Sequence, residues 1–179
     1  LPEQIRAAVA ISAPFELALS AHALERGFSQ VYGRRLVAGL KRKTLEKLAR
    51  YPNLVDAGAL QKIRTLAEFD DLVTAPVHGF KDAADYWASS SSAAFLPRIR
   101  RPTLLVNAQD DPFLPAAALP VRAVSENSFL RAEFPAGGGH LGFLQGRWPG
   151  LPIAWAEVRA AEFLSEHVGT FLEVPVTPY

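Results

Sequence analysis

The sequence contains no cysteine and no methionine. The first absence removes disulfides, thiolate nucleophiles and zinc–thiolate centres together, and it fits a reducing compartment. The second is at odds with a translation start, because residue 1 is leucine. The expectation is that the beginning of the protein is trimmed, carried on another chain or left out. An excess of one charge is also lacking. There are 19 Lys and Arg against 18 Asp and Glu, a formal net charge of +1, so no global field favours nucleic acid as a partner. No apolar run approaches the roughly 18–20 residues that a membrane span requires. No two histidines stand at helical ligand spacing, no carboxylates cluster around one, and no glycine-rich phosphate loop follows a strand, so neither a metal nor a cofactor is implied. What remains is a chain of 179 residues, 49% apolar and 21% charged, which is the composition of a folded domain or a large piece of one. With no targeting pattern at residues 1–4, a cytoplasmic location is expected.

Three short apolar segments read as strands. Residues 5–14 (IRAAVAISAP) form a run that stops at a proline, and residues 101–108 (RPTLLVNA) hold Leu104, Leu105 and Val106 in succession. Continuous apolar sequence of that length suits a strand covered on both faces, as in a parallel sheet between helices. Residues 129–135 (FLRAEFP) are the third candidate and end at a proline before three glycines. A short helix is predicted over 115–125. A longer amphipathic helix is predicted over 152–168, with Pro152 in its first turn. Strand–helix–strand–helix from 101 to 168 is an α/β pattern. The tail from 170 to 179, with two prolines, is expected to fray.

Residues 15–100 have a different character. They read as several short helices without a strand, inserted between two strands of one sheet. Phe28, Val31, Tyr32 and Leu36 share one helical face, and Thr65-Leu66-Ala67-Glu68 has capping-box spacing. A short helix is predicted at 81–88, and the serines at 89–92 suit an N-cap before Ala93. Charge is uneven here. Residues 31–50 hold seven Lys and Arg against one Glu, while residues 66–85 hold five Asp and Glu against one Lys. The first reading is two solvated faces that complement each other. Contact of the basic stretch with an anionic surface, including a membrane, stands second.

Two loops carry residues with chemical potential. Asp110-Asp111-Pro112-Phe113-Leu114-Pro115 follows the second strand, and Gly137-Gly138-Gly139-His140-Leu141-Gly142-Phe143 follows the third. The carboxyl edge of an open α/β sheet is where sites are built. Histidine exchanges a proton near neutral pH and needs an acceptor to fix its tautomer. If the two strands are neighbours, Asp111 and His140 project from the same edge. Taken singly, an Asp-Asp-Pro turn and a histidine in a glycine-rich loop are ordinary surface features.

These motifs, in this order and ahead of a terminal amphipathic helix, resemble the carboxyl-terminal half of an α/β-hydrolase. More narrowly, the sequence resembles the YheT-like family of predicted esterases, through 10–15 (AISAPF), 65–71 (TLAEFDD), 74–80 (TAPVHGF), 84–90 (ADYWASS), 110–115 (DDPFLP) and 138–143 (GGHLGF). The stretch between 65 and 90 is the specific part. The resemblance implies an α/β-hydrolase fold represented by its last three parallel strands and a helical cap. The strand would lie in 1–14, the cap in 15–100, the carboxyl-terminal core in 101–169 and the tail in 170–179. It implies that His140 is the catalytic base and Asp111, rather than Asp110, the acid that orients it. Phe113, Leu141 and Phe143 are candidates for lining the acyl site or for filling the core.

The resemblance also implies what this sequence does not hold. In such enzymes the nucleophile precedes the acid and the base, yet no Gly-x-Ser-x-Gly occurs among these residues. The nucleophile and the oxyanion hole would then come from an amino-terminal half, as a second chain or a missing segment, and this chain alone would be inactive. The implied reaction is hydrolysis of a small-molecule carboxylic ester or related acyl bond. An Asp nucleophile, as in epoxide and haloalkane hydrolases, is the alternative, and a non-catalytic binding fragment is a third reading. His78 is read as a structural histidine bonded to backbone; His22 and His167 carry no motif.

Overall fold

The computed structural model describes residues 4–146 and 153–168. The chain divides into two compact units. One comprises residues up to Phe15 together with those from Ala93 onward; the other is Glu16–Ser92.

The first unit is built on a parallel sheet. Strand β1 (Ala8–Ile11) pairs with β2 (Thr103–Val106), which pairs with β3 (Leu130–Glu133), in the order β1-β2-β3. The register sets Val9 beside Leu104 and Leu104 beside Arg131. All four residues of central β2 are buried. Because successive side chains of a strand point to opposite faces, its apolar run serves two cores. Leu104 and Val106 pack with Ala108, Phe143, Ala156 and Phe163. Leu105 packs with Phe15, Leu96 and Leu130 on the other face. Burying each such side chain stabilises the sheet by about 1.5–3 kcal/mol.

Helix α8 (Trp155–Val168) contributes Ala156 and Phe163 to the first face, and α7 (Val121–Glu126) contributes Ala123 and Val124 to the second. Helices on both faces are what an uninterrupted apolar strand requires. Arg159 of α8 grips Glu133 at the end of β3, with Nη2 2.6 Å from Oε1 and Nε 3.0 Å from Oε2. The guanidinium holds the Glu133 carboxyl below the ordinary carboxylate range.

Three expected boundaries differ. The helix predicted over 115–125 is split into a 3₁₀ turn (Ala116–Ala118) and α7, because Pro120 lies between them and each segment begins behind a proline. The terminal helix starts at Trp155 instead of Pro152. Ile153 and Ala154 form strand β5, which pairs antiparallel with β4 (Leu144–Gln145). Pro152 and the expected tail at 170–179 lie outside the described residues. The 3₁₀ segment Ser92–Arg98 includes Leu96 of the sheet core, and the carbonyls of Leu96 and Ile99 accept from the Asn127 amide. The units therefore part at Ser92, short of residue 100.

The second unit is helical: α1 (Leu17–Ala23), α2 (Ser29–Leu48), α3 (Ala57–Lys62), α4 (Leu66–Phe69), a π-helical turn (Asp70–Thr74), α5 (Ala75–His78) and α6 (Ala83–Ser90). The expectation of short helices fails for α2, which runs 20 residues. Its core face is Gly33, Val37 and Thr44, with Val37 against Leu60, Ile63, Phe69 and Val73. The face carrying Phe28, Val31, Tyr32 and Leu36 is the exposed one.

The acids of 66–85 are engaged within the unit. Thr65 and Glu68 form the expected capping box at α4. Asp70 is buried and accepts from the Trp87 indole at 2.8 Å and the Thr74 hydroxyl at 2.7 Å. Asp71 accepts from the Ala83 amide, and Asp82 caps α6 through the Asp85 amide. Ser89 and Ser90 close α6 instead of capping a following helix, and the Ser91 hydroxyl donates to the Trp87 carbonyl.

Candidate active site

Parallel pairing of β1, β2 and β3 sends the segment after each strand to one edge of the sheet. Two side chains meet there. Asp111 lies in the turn after β2, and His140 in the glycine-rich loop after β3. Asp111 Oδ2 stands 2.8 Å from His140 Nδ1. The Asp111 side chain has no solvent exposure and the imidazole is 30% exposed. Asp111 Oδ1 accepts from the amides of Phe113 at 2.8 Å and Leu114 at 3.1 Å. An ionised carboxylate only accepts, so Nδ1 carries the proton in this pair and Nε2 is left with its lone pair. The arrangement can take up a proton at Nε2 while the buried carboxylate stabilises the cation that forms.

The histidine loop is held by its backbone. Gly139 donates its N–H to Asp110 Oδ1 at 2.8 Å and has φ near +61°, a conformation glycine adopts at little cost. Gly138 has no room for a side chain: a Cβ would stand 2.8 Å from the Phe143 ring and 3.0 Å from Ala108 Cβ. The Phe143 amide closes the turn on the Gly138 carbonyl at 2.9 Å. The hydroxyl of Ser12, at the end of β1, donates to the His140 carbonyl. Ser12 has φ near +51°, a strained value for a residue with a side chain, and its own amide is bonded to the Val106 carbonyl. Asn107 is fully buried and bridges to the Ala13 carbonyl.

The neighbouring acids thus differ in contact: Asp111 meets the imidazole, and Asp110 meets the backbone before it. Phe113 is half-buried and sets its ring edge-on to the imidazole, with centroids 4.9 Å apart. Leu141 is largely exposed. Phe143 belongs to the core and stacks with Trp155. His78 is exposed and has no hydrogen-bond partner among the described residues, unlike the structural histidine expected. His22 lies edge-on to Trp87, and His167 bonds the Phe163 carbonyl. Ser12, Asn107 and the role of Asp110 were not legible as site features. The available signal was position alone, each lying just past the carboxyl end of a strand.

Among the described residues no group of three His, Asp or Glu is gathered as a metal centre would need, and no helix is long and apolar enough to cross a membrane.

A parallel sheet whose carboxyl edge carries an Asp–His pair, with a helical segment between its first two strands here, is an α/β-hydrolase arrangement. The chain belongs to the family described as alpha/beta hydrolase fold, whose model matches residues 1–147. It is similar to the putative esterase YheT of Escherichia coli, at 38% identity over 92% of this chain and 48% of that protein, in line with the YheT-like resemblance. It is also similar to a monoacylglycerol lipase of Saccharomyces cerevisiae, at 32% identity over 80% of this chain and 33% of the relative. Phospholipase ABHD3 of Mus musculus is 35% identical over 53% of this chain and 23% of its own length. The chain spans about half the length of the first of these relatives and a third of the second. No solved structure matches it significantly.

Proposed function

We propose that the complete protein hydrolyses carboxylic esters or related acyl bonds, with His140 as general base and Asp111 as the acid that orients it. The observation that carries this reading is the 2.8 Å contact between a fully buried carboxylate and a part-exposed imidazole at the carboxyl edge of a parallel sheet. Relatives named as an esterase and a lipase support the same class of reaction.

The nucleophile, the oxyanion donors and the further strands come from residues outside this chain. The nucleophile attacks the carbonyl and gives its proton to His140 Nε2. The imidazolium then protonates the leaving group. Asp111 stays ionised throughout and holds the ring. In a second half-cycle His140 activates water against the acyl-enzyme. Phe113, edge-on to the ring, supports the imidazole.

The test is turnover of a simple aryl ester by the complete protein, alongside labelling by a fluorophosphonate, which reacts with an activated serine. Loss of turnover in His140→Ala, with labelling of a serine outside these 179 residues, supports the serine-esterase reading. Turnover that is unaffected in His140→Ala refutes the role of the histidine. Loss of turnover without any labelling moves the assignment to an Asp nucleophile.

A further inference from the structure

The outward face of α2 combines two features that a water-facing helix does not need together. Its amino-terminal turns expose Phe28, Val31, Tyr32 and Leu36 at 76%, 57%, 49% and 44%, and the Phe28 and Tyr32 rings lie edge to face at 5.9 Å. On the same side Arg35, Arg42, Lys43, Lys47 and Arg50 are exposed, and Tyr51 stands at the far end with the Arg50 guanidinium over its ring. Lys41 is turned inward, donating to the carbonyls of Gln61 and Ile63.

If two complementary faces explained the charge pattern, the acids of 66–85 would neutralise these cations. They do not: those acids are engaged in helix caps, the Trp87 indole and neighbouring amides. Among the described residues the only acid paired with the outward cations is Glu46, 3.9 Å from Arg42 and exposed. Residues 31–50 hold seven of the 19 Lys and Arg but one of the 18 Asp and Glu, which leaves 12 basic and 17 acidic residues elsewhere. The molecule is cationic along one helix and acidic over the rest.

We propose that α2 docks this face on an anionic lipid surface. A planar anionic surface attracts one cationic helix and does not have to contact the acidic remainder. The exposed aromatic and aliphatic side chains supply what electrostatics alone does not, insertion at the boundary between head groups and acyl chains. A dissolved polyanion would read the cations but leave Phe28, Val31 and Leu36 in water. The inference is independent of the catalytic reading.

Sedimentation of the protein with vesicles tests it. Vesicles of phosphatidylcholine containing phosphatidylserine should bind the protein, binding should weaken as salt rises, and phosphatidylcholine alone should not bind it. Each cation near the surface contributes about fivefold, so the triple variant R42E/K43E/K47E should lose about 100-fold or more. Phe28→Ser with Val31→Ser should lose about tenfold at unchanged charge. All five positions are exposed, so far-ultraviolet dichroism should be unchanged, and the lipid contrast in the unaltered protein needs no variant. Equal binding to both vesicle types, no binding to either, or undiminished binding by the triple variant overturns the proposal. So does tight heparin binding with vesicle binding insensitive to the Phe28 and Val31 changes, which would make the face a polyanion site.

Discussion

Replacing Asp111 by asparagine separates two functions of one side chain. Asp111 Oδ1 holds the turn through the Phe113 and Leu114 amides, and Oδ2 faces His140 Nδ1 at 2.8 Å. Asparagine is nearly isosteric. Its carbonyl oxygen can keep accepting from the two amides, so the turn should persist and stability should fall by about 1 kcal/mol or less, the difference between a charged and a neutral acceptor. Its NH₂ would then face Nδ1. A donor in that position favours the tautomer with the proton on Nε2, which is the wrong one for a base. Turnover by the complete protein should fall about 10,000-fold. Asp111→Ala should lose activity comparably and stability as well, by about 1–3 kcal/mol, because the buried Leu114 amide is left without an acceptor. The assays are aryl-ester turnover and denaturant unfolding on the same preparations. More than a tenth of normal turnover in Asp111→Asn would refute the assignment of Asp111 as the orienting acid, and Asp110→Asn would be the next variant to examine.

Trp87→Phe should destabilise the helical unit by about 1–3 kcal/mol in denaturant unfolding, because buried Asp70 Oδ2 loses its indole donor. Gly138→Ala forces a methyl group to within 2.8 Å of the Phe143 ring; overpacking of this kind costs about 1–3 kcal/mol, read as a lower melting temperature, and reduced turnover should accompany it as the His140 loop shifts. The Glu133 carboxyl is held below its ordinary range by the Arg159 hydrogen bonds, so the pair stabilises the fold above the ordinary carboxylate value of 4.5 and loses that contribution as pH falls through the lowered one. Unfolding measured from pH 7 to pH 3 should therefore show a smaller acid-side loss in Arg159→Met than in the unaltered protein.

The sequence by itself determined the layers of the sheet unit and the identity of the chemical loops. Leu104, Leu105 and Val106 form an apolar run too short for a helix of that composition and too continuous for a half-exposed strand, so a covered parallel strand follows from local pattern. The capping box at Thr65 and Glu68 is likewise local, since both partners lie within one turn. Pairing order is not local. That β2 lies between β1 and β3, and so aligns Asp111 with His140, is decided by which faces must be buried together. The division of labour between Asp110 and Asp111 depends on a backbone amide 29 residues away, which no neighbouring residue encodes. Ser12 reaches His140 across 128 residues of chain. The same limit applies to α2. Its apolar spacing is legible, but the side that faces water is set by Val37 meeting Leu60, Ile63, Phe69 and Val73. Spacing records which side chains share a face; only packing against distant segments decides which face is buried.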